Sequence, residues 1–189
     1  MKHRIFSRFI VVLLLCGLAC HAQAAGKDSQ ADVARRKADK GVSGKLWANG
    51  DDEFVLYVND RKLAAKAYTD DPEFKQVTLK PGDLLVARVT STDGVRGFAL
   101  LFQAAGGRIE FSTNTGDWYE FEPANKIQWW QVRDFSKLQK VRATATDHQD
   151  VRGNIERLAE TGCQETLWGD PSKSTVYLIK RVALDDLME

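Results

Sequence analysis

The chain has 189 residues, of which 27 are basic and 26 acidic, so its formal net charge is only +1. A basic excess of one is too small to neutralise a phosphate backbone, which argues against a nucleic-acid partner. The length is sufficient for one domain with its own hydrophobic core.

Residues 1–24 have the pattern of a cleavable signal peptide. Basic residues at the start are followed by an apolar run at 9–20, and the Ala-Gln-Ala sequence at 22–24 matches a signal-peptidase site. The apolar run covers 12 residues, whereas a membrane-spanning helix needs about 20. We therefore predict export to the periplasm or the medium, with cleavage after Ala24. Attachment as a lipoprotein through Cys20 is less favoured, because the preceding leucine lies one position too close to that cysteine.

Cleavage of this leader would change the composition of the remaining chain. It removes three basic residues and no acidic one, so the side-chain charge becomes −2. It also removes two of the three cysteines and leaves Cys163 alone, so stability has to come from the core and not from an internal disulfide. No second apolar stretch is long enough to span a membrane.

Residues 25–42 are polar and charged, which indicates a linker or a short helix, and the pattern of strands begins at residue 43. Alternating apolar residues and β-formers predict strands at 53–59, 61–68, 75–80, 84–90, 96–103 and 108–112. The turn signals between them are Asn59-Asp60, Pro81-Gly82, Asp93-Gly94 and Gly106-Gly107.

The C-terminal half is less regular. We expect residues 113–148 to form long loops with one or two short strands, residues 154–161 to form two helical turns, and residues 174–184 to form a final strand. Short strands at this spacing predict an all-β fold over residues 43–189, an antiparallel β-sandwich or barrel with minor helical segments.

Four segments carry a resemblance to a known family. DDEFVLYVND at 51–60 is similar to the hairpin "aDneytLYVNG", and LKPGDLLVARVTSTDGVRGFALLF at 79–102 resembles "LkpGrNviAvra.N..GpaGllarl". FSTNTGDW at 111–118 and WWQVRDFSKL at 129–138 resemble the segments that follow in the same family. The family is the galactose-binding-domain-like β-sandwich, an accessory module of rhamnosidases, β-galactosidases and other secreted carbohydrate-active proteins. The resemblance implies a jelly-roll fold and a carbohydrate ligand.

A fifth segment, residues 167–184, resembles the strand that usually opens this kind of module. In this chain it stands at the end. We therefore expect the closing strand to complete the sheet, in the place where an N-terminal strand would normally lie, as in a circular permutant.

Motifs for catalysis are scarce. Without the leader, His148 is the only histidine, so a histidine-rich metal site is excluded and a Ser-His-Asp system has one candidate. No serine lies in a G-x-S-x-G elbow. The many acidic residues leave open a carboxylate pair of the kind used in glycoside hydrolysis. We expect no cofactor; a structural calcium ion at 51–53 or 70–71 is not favoured, because the spacing does not follow an EF-hand loop.

Aromatic residues close to polar ones give the candidate site, because sugars stack their C–H faces on flat rings while polar side chains bind the hydroxyl groups. We expect Trp118 and Trp168 to pack in the interior. If residues 129–130 are extended, their two rings should point to opposite faces, so that at most one belongs to the core. The candidate ligand-binding residues are Trp47, Asn49, Asp51, Asp93, Arg96, Asn114, Asp117, Trp129 and Trp130.

The sequence therefore predicts an exported, non-catalytic binding module, and the family resemblance implies that its ligand is carbohydrate. The alternative is a structural or protein-interaction domain of the cell envelope, and the third candidate is a small glycan-active hydrolase. A solvent-facing tryptophan beside polar groups in a groove would favour a sugar, and a flat apolar patch would favour a protein partner. Two carboxylates facing each other across a cleft would favour the hydrolase.

Overall fold

The computed structural model describes residues 29–50, 52–67, 73–92, 94, 96–113, 117–123, 128–141, 144–145 and 165–188. The chain divides into two compact units, residues 1–34 and 35–189. The predicted leader, the helix predicted at 154–161, His148 and Cys163 lie outside the described residues. Within the described part, no helix is long and apolar enough to cross a membrane.

Two antiparallel sheets dominate the described part of the second unit, and the predicted all-β sandwich is confirmed. The smaller sheet has the order β4-β1-β6-β7, with β1 at Val42–Gly50, β4 at Glu73–Leu79, β6 at Phe98–Ala104 and β7 at Ile109–Ser112. The larger sheet has the order β3-β2-β5-β12-β8-β9, with β2 at Glu53–Val58, β3 at Arg61–Ala67, β5 at Leu84–Thr90, β8 at Trp118–Glu120, β9 at Gln139–Val141 and β12 at Thr175–Arg181. A further pair joins β10 at Thr144–Ala145 to β11 at Glu165–Thr166.

The helical segments are short. An α-helix, α1, covers Gln30–Lys40, where the sequence indicated a linker or a short helix. It begins at Ser29, whose hydroxyl accepts a hydrogen bond from the Asp32 amide at 3.2 Å and donates one to the Asp32 carboxylate at 2.9 Å. Later in the chain, the described residues form three 3-10 helices, at Trp129–Gln131, Phe135–Lys137 and Asp185–Leu187.

The main core lies between the two sheets, and strand alternation decides which side chains enter it. In the smaller sheet Phe98, Leu100 and Phe102 of β6 point inward, and all three are fully buried. They meet inward residues of the larger sheet, which include Phe54, Leu56, Leu85, Ala87, Val89, Trp118, Val176 and Leu178. The expected packing role of Trp118 is therefore confirmed, and Trp168 packs at the border of the same cluster.

The turns follow the sequence signals. Asn59 has a φ of 56°, in the left-handed region that asparagine tolerates. Its side-chain amide donates to the Asp83 carboxylate at 3.0 Å, and its side-chain oxygen accepts from the Leu84 amide at 3.0 Å. The hairpin between β2 and β3 is thereby fixed to the Pro81-Gly82 turn that precedes β5.

A close approach of β1 and β6 depends on Gly44. A Cβ added at this position would overlap the carbonyl of Gln103 on the neighbouring strand β6. Because this carbonyl belongs to the backbone of a paired strand, it cannot turn aside as a flexible side chain could. We expect Gly44→Ala to lower the free energy of unfolding by about 1–3 kcal/mol, as overpacking of an interior does. Urea unfolding followed by tryptophan fluorescence measures the loss.

The matched control for this substitution is Gly106→Ala. A Cβ at Gly106 meets no atom within 4 Å, so this variant should stay within about 0.5 kcal/mol of the wild type. If both variants lost the same free energy of unfolding, the loss would come from replacing glycine by alanine in general and not from the contact with Gln103.

Candidate functional site

The outer face of the larger sheet carries a second apolar cluster. Alternation places Tyr57, Tyr119 and Tyr177 on the side of the sheet that points away from the main core. Residues 128–138, called the strap below, cross this face. The cluster under the strap consists of Leu84, Val86, Phe121, Val132 and Ile179, with Tyr57, Tyr119, Trp129, Phe135, Leu138 and Tyr177 at its border. The strap is therefore packed on the sheet by a small core of its own.

The first end of the strap is fixed through Trp129. Its indole Nε1 donates a hydrogen bond to the backbone carbonyl of Asn59 at 2.9 Å. Its ring centroid lies 4.6 Å from that of Tyr57 and 6.5 Å from that of Tyr177. The Asn59 turn thus holds both the β2–β3 hairpin and the strap.

The middle of the strap is fixed by Arg181 of β12. The Arg181 guanidinium donates to the carbonyls of Val132 and Arg133 at 3.3 and 3.1 Å, and lies 4.6 Å from the ring centroid of Phe135. Phe135 in turn makes an edge-to-face contact with Tyr119 at 5.2 Å. A cation over an aromatic ring and hydrogen bonds to carbonyls reinforce each other here.

Local hydrogen bonds make the strap turn instead of extending. The Gln128 amide donates to the Gln131 side chain at 3.0 Å, which closes the first 3-10 helix. Asp134 begins the second, because its carboxylate accepts from the Ser136 amide at 3.0 Å and from the Ser136 hydroxyl at 2.5 Å. These two bonds from Ser136 lower the pKa of Asp134.

The two adjacent tryptophans have different surroundings, although the backbone at this point is a 3-10 helix and not an extended strand. Trp129 is packed on the tyrosines, whereas Trp130 remains 36% exposed. Their rings meet edge to face, with centroids 5.1 Å apart. Among the described residues, Trp130 is the one large aromatic side chain that is exposed.

Two clefts lie beside the strap. Cleft A, of about 590 Å³, has Phe121, Val132 and Leu138 as its apolar wall, and its polar lining is Glu120, Glu122, Gln131, Arg133, Asp134, Lys137 and Gln139. Cleft B, of about 550 Å³, is lined by Asp117, Tyr119, Arg133, Asp134, Phe135, Lys180, Arg181, Val182, Ala183 and Asp186. Both volumes fall in the range of small-molecule sites, and both clefts combine apolar walls with placed polar groups.

The carboxylates of cleft A are held by a lysine. Lys173 Nζ lies 2.8 Å from one oxygen of Glu120 and also bonds Glu122, and these two bonds raise the pKa of Lys173 well above its usual value. The other oxygen of Glu120 accepts from the Asp170 amide at 2.7 Å. The two glutamates therefore share one ammonium group and do not face each other across the cleft.

Three aspartates near the site have lowered pKa values. A hydrogen bond from Lys140 is the largest cause for Asp117, and bonds from Ser172 are the largest causes for Asp170. Asp134 is lowered by Ser136, as described above. A general acid at neutral pH needs a raised pKa, which is the opposite shift. This arrangement is suited to hydrogen bonding of a ligand, and these three aspartates are not suited to donating protons.

Acid should weaken the turn that carries Lys173. Because the pKa of Asp170 is lower in the folded state than its ordinary value of 3.8, its stabilising contribution is present above pH 3.8 and is lost as the pH falls through the pKa of the folded state. We expect Asp170→Asn to be less stable than the wild type at pH 7, with the difference shrinking toward pH 3. Urea midpoints of both proteins at the two pH values test this, and a difference that does not change with pH would contradict it.

The predicted site residues fall in different parts of the sandwich. Trp47 and Asn49 lie on β1, on the outer face of the smaller sheet, where they are 8% and 3% exposed. This is the opposite side of the sandwich from the strap. Arg96 precedes β6, and its Nε is buried without a hydrogen-bond partner in the described part of the chain.

The structure brings three of the predicted residues to the strap. Trp129 and Trp130 are part of it, and Asp117 lines cleft B, where Lys140 is its ion-pair partner. Asp51, Asp93 and Asn114 lie outside the described residues, as do Asp70 and Asp71 of the less favoured calcium site.

Asp52 belongs to the other acidic segment considered for calcium, residues 51–53. Its carboxylate accepts a hydrogen bond from the Thr92 hydroxyl at 2.6 Å. No three His, Cys, Asp or Glu side chains within the described ranges come together as a metal site would require.

Sequence reasoning missed the residues that build the strap site, notably Arg133, Phe135 and Arg181. A signal was present. Tyr57, Tyr119 and Tyr177 alternate with inward-facing residues in their strands, and aromatic residues on the outward face indicate that this face is also covered.

Comparisons of the chain with protein-family models, with curated proteins and with solved structures find no match.

Proposed function

We propose that this protein is an exported, non-catalytic binding module that binds carbohydrate at the strap. The observation that carries the proposal is Trp130, a 36% exposed indole on the strap. The adjoining Gln131 lines cleft A, and Arg133, which lines both clefts, donates to the Trp130 carbonyl at 3.1 Å. A flat ring beside side chains that donate and accept hydrogen bonds matches the C–H faces and hydroxyl groups of a sugar.

Two features of the sequence support the same proposal. The pattern of residues 1–24 supports export, and extracellular and periplasmic spaces are where free glycans meet binding modules. The resemblance of residues 43–138 to galactose-binding-domain-like modules supports carbohydrate as the ligand class.

The chemistry of the clefts supports binding over hydrolysis. Glycoside hydrolysis needs one carboxyl group kept protonated and a second placed across the bond to be cleaved. In cleft A, Glu120 and Glu122 both bind Lys173. In cleft B, Asp117 and Asp134 have lowered pKa values. None of these four carboxyl groups has the surroundings of a general acid.

A glycan array probed with the exported protein tests the proposal, and tryptophan fluorescence titration then measures the affinity for each glycan that binds. We expect Trp130→Ala to weaken binding at least about tenfold, as loss of an aromatic stacking contact does, while Trp130→Phe keeps a flat ring and most of the affinity. Both variants should remain folded, which urea unfolding checks, because the contact of the Trp130 ring with Trp129 contributes only about 0.5–1.5 kcal/mol.

Val33→Ala is the control for surface truncation, because Val33 is exposed and lies on α1. It should leave glycan binding unchanged. Failure of the folded protein to bind any glycan on the array would overturn the proposal, and a protein-interaction domain of the envelope would then be preferred.

A further inference from the structure

Clefts A and B share a wall. Arg133 and Asp134, in the middle of the strap, line both of them, so the two clefts adjoin at this pair. Each cleft alone has the volume of a small-molecule site. A ligand that extends across the shared wall would therefore have about twice the volume that one cleft offers.

The side chains at this wall retain hydrogen-bonding capacity. Arg133 uses one of its N–H groups on the Trp130 carbonyl, and a guanidinium has five. Asp134 uses Oδ1 for Ser136, while its Oδ2 lies 3.8 Å from Lys137 Nζ and its side chain is 54% exposed. The junction therefore offers both donors and acceptors to a ligand.

The charges that line the clefts nearly balance, because the described lining has three carboxylates and two basic groups in cleft A and three of each in cleft B. In cleft A, Glu120 and Glu122 share Lys173. In cleft B, Lys180 lies 2.9 Å from Asp186, and Asp117 is paired with Lys140. Arg133 and Arg181 bind backbone carbonyls and not carboxylates. An anionic chain would still meet no net positive charge in the described lining of either cleft, because the carboxylates there are at least as numerous as the basic groups.

Building on the proposed function, we propose that the ligand is an uncharged oligosaccharide that occupies both clefts and passes the strap at Arg133 and Asp134. Neutral hydroxyl groups can bind to polar side chains in a lining whose charges nearly balance, and a chain of sugars matches two adjoining clefts better than a single sugar does. Affinity should then depend on chain length and only weakly on salt.

The test is a fluorescence titration with gluco-, manno- and galacto-oligosaccharides of one to six residues, with oligogalacturonate as the charged counterpart. For the series that binds, we expect affinity to rise at least tenfold from the shortest chain to one that fills both clefts, and then to level off. Raising sodium chloride from 50 to 500 mM should change the affinity by less than about twofold. Preference for oligogalacturonate, or equal affinity at all lengths, would overturn the inference.

Two variants separate the clefts. Gln139→Ala changes the lining of cleft A alone, and Asp117→Asn changes that of cleft B alone. Each should weaken binding of the long chain several-fold, whereas only one of them should affect the shortest chain that binds. If one of the two variants leaves the binding of the long chain unchanged, the ligand occupies only one cleft, and the inference is overturned.

Failure of the inference and failure of the proposed function are distinguishable. If only the inference fails, a glycan still binds and Trp130→Ala still weakens it, but without dependence on length or on the second cleft. If the proposed function fails, none of the oligosaccharides binds to the folded wild-type protein, and the inference falls with it.

Discussion

Replacing Asp186 by alanine is expected to lower the free energy of unfolding by about 3–5 kcal/mol, because the change leaves a buried ammonium without its partner. Lys180 occupies a position on β12 that faces the interior between the sheets, and its side chain is only 2% exposed. Its Nζ lies 3.1 and 2.9 Å from the two oxygens of Asp186, and 5.2 Å from the ring centroid of Phe111. For an ammonium group that is almost completely buried, contact with an aromatic ring alone does not compensate for the loss of its carboxylate partner.

Asp186 also has a second task. Its Oδ2 accepts a hydrogen bond from the Ala183 amide at 2.7 Å, which holds the turn between β12 and the last 3-10 helix. Alanine therefore removes one ion pair and one turn contact at the same time. The double variant Lys180→Met with Asp186→Ala should recover most of the loss, because methionine fills a similar volume and leaves no charge unpaired.

Urea unfolding of the wild type, the single variant and the double variant measures both effects. Asp185→Ala is the matched control, since Asp185 is the neighbouring acidic residue in the same 3-10 helix and is exposed. It should change stability by less than about 0.5 kcal/mol. A loss at Asp186 no greater than at Asp185 would mean that the buried lysine does not depend on this partner.

The sequence indicates this lysine only in part. Alternation along β12 places Val176, Leu178 and Lys180 on one face, so an inward charge is predictable from the pattern. Its partner is not predictable, because Asp186 reaches it only through the 3-10 helix that follows the strand. Local turns of this kind depend on the tertiary structure around them.

Strands and turns were largely predictable because they depend on local chemistry. Residues 84–90 form a strand with the predicted bounds, and Asn59 has the left-handed backbone expected of its turn. Strand order was not predictable, because pairing joins segments far apart in the chain. β12 pairs with β5 across more than eighty residues, and no local pattern determines that choice.

The same limit explains the scattered site residues. Trp47 and Trp129 both lie near polar residues in the sequence, so proximity along the chain suggested one site. Their positions on opposite sides of the sandwich follow from the sheet to which each segment belongs and from the face on which its side chain lies. A shift of one residue in register would reverse that face, so sequence proximity alone is a weak guide.

Deleting residues 167–189 is expected to abolish cooperative folding, because β12 is an interior strand. It lies between β5 and β8 in the larger sheet and pairs with β5 over its whole length of seven residues. Its removal would leave the adjacent edges of β5 and β8 without their hydrogen-bond partners inside the sheet. Deletion also removes Leu167, which is bridged to Phe98 of the smaller sheet.

The apolar side chains of this segment carry a large share of the stability. Those that are almost completely buried are Leu167, Val176, Leu178, Ile179 and Val182. Burial of each contributes about 1.5–3 kcal/mol, whereas a whole domain is stable by only about 5–15 kcal/mol. Ile179 belongs to the cluster under the strap, and Arg181 fixes the strap itself, so the candidate site should be lost together with the sheet.

Near-ultraviolet circular dichroism and urea unfolding of the truncated chain provide the measurement. We expect no tertiary signal and no cooperative transition. Adding residues 167–189 as a separate peptide should restore part of both, since the peptide can pair between β5 and β8, whereas a peptide with Leu178→Pro should not, because proline removes an amide from the ladder. A truncated chain that unfolds cooperatively without the peptide would show that the other strands close the sheet by themselves.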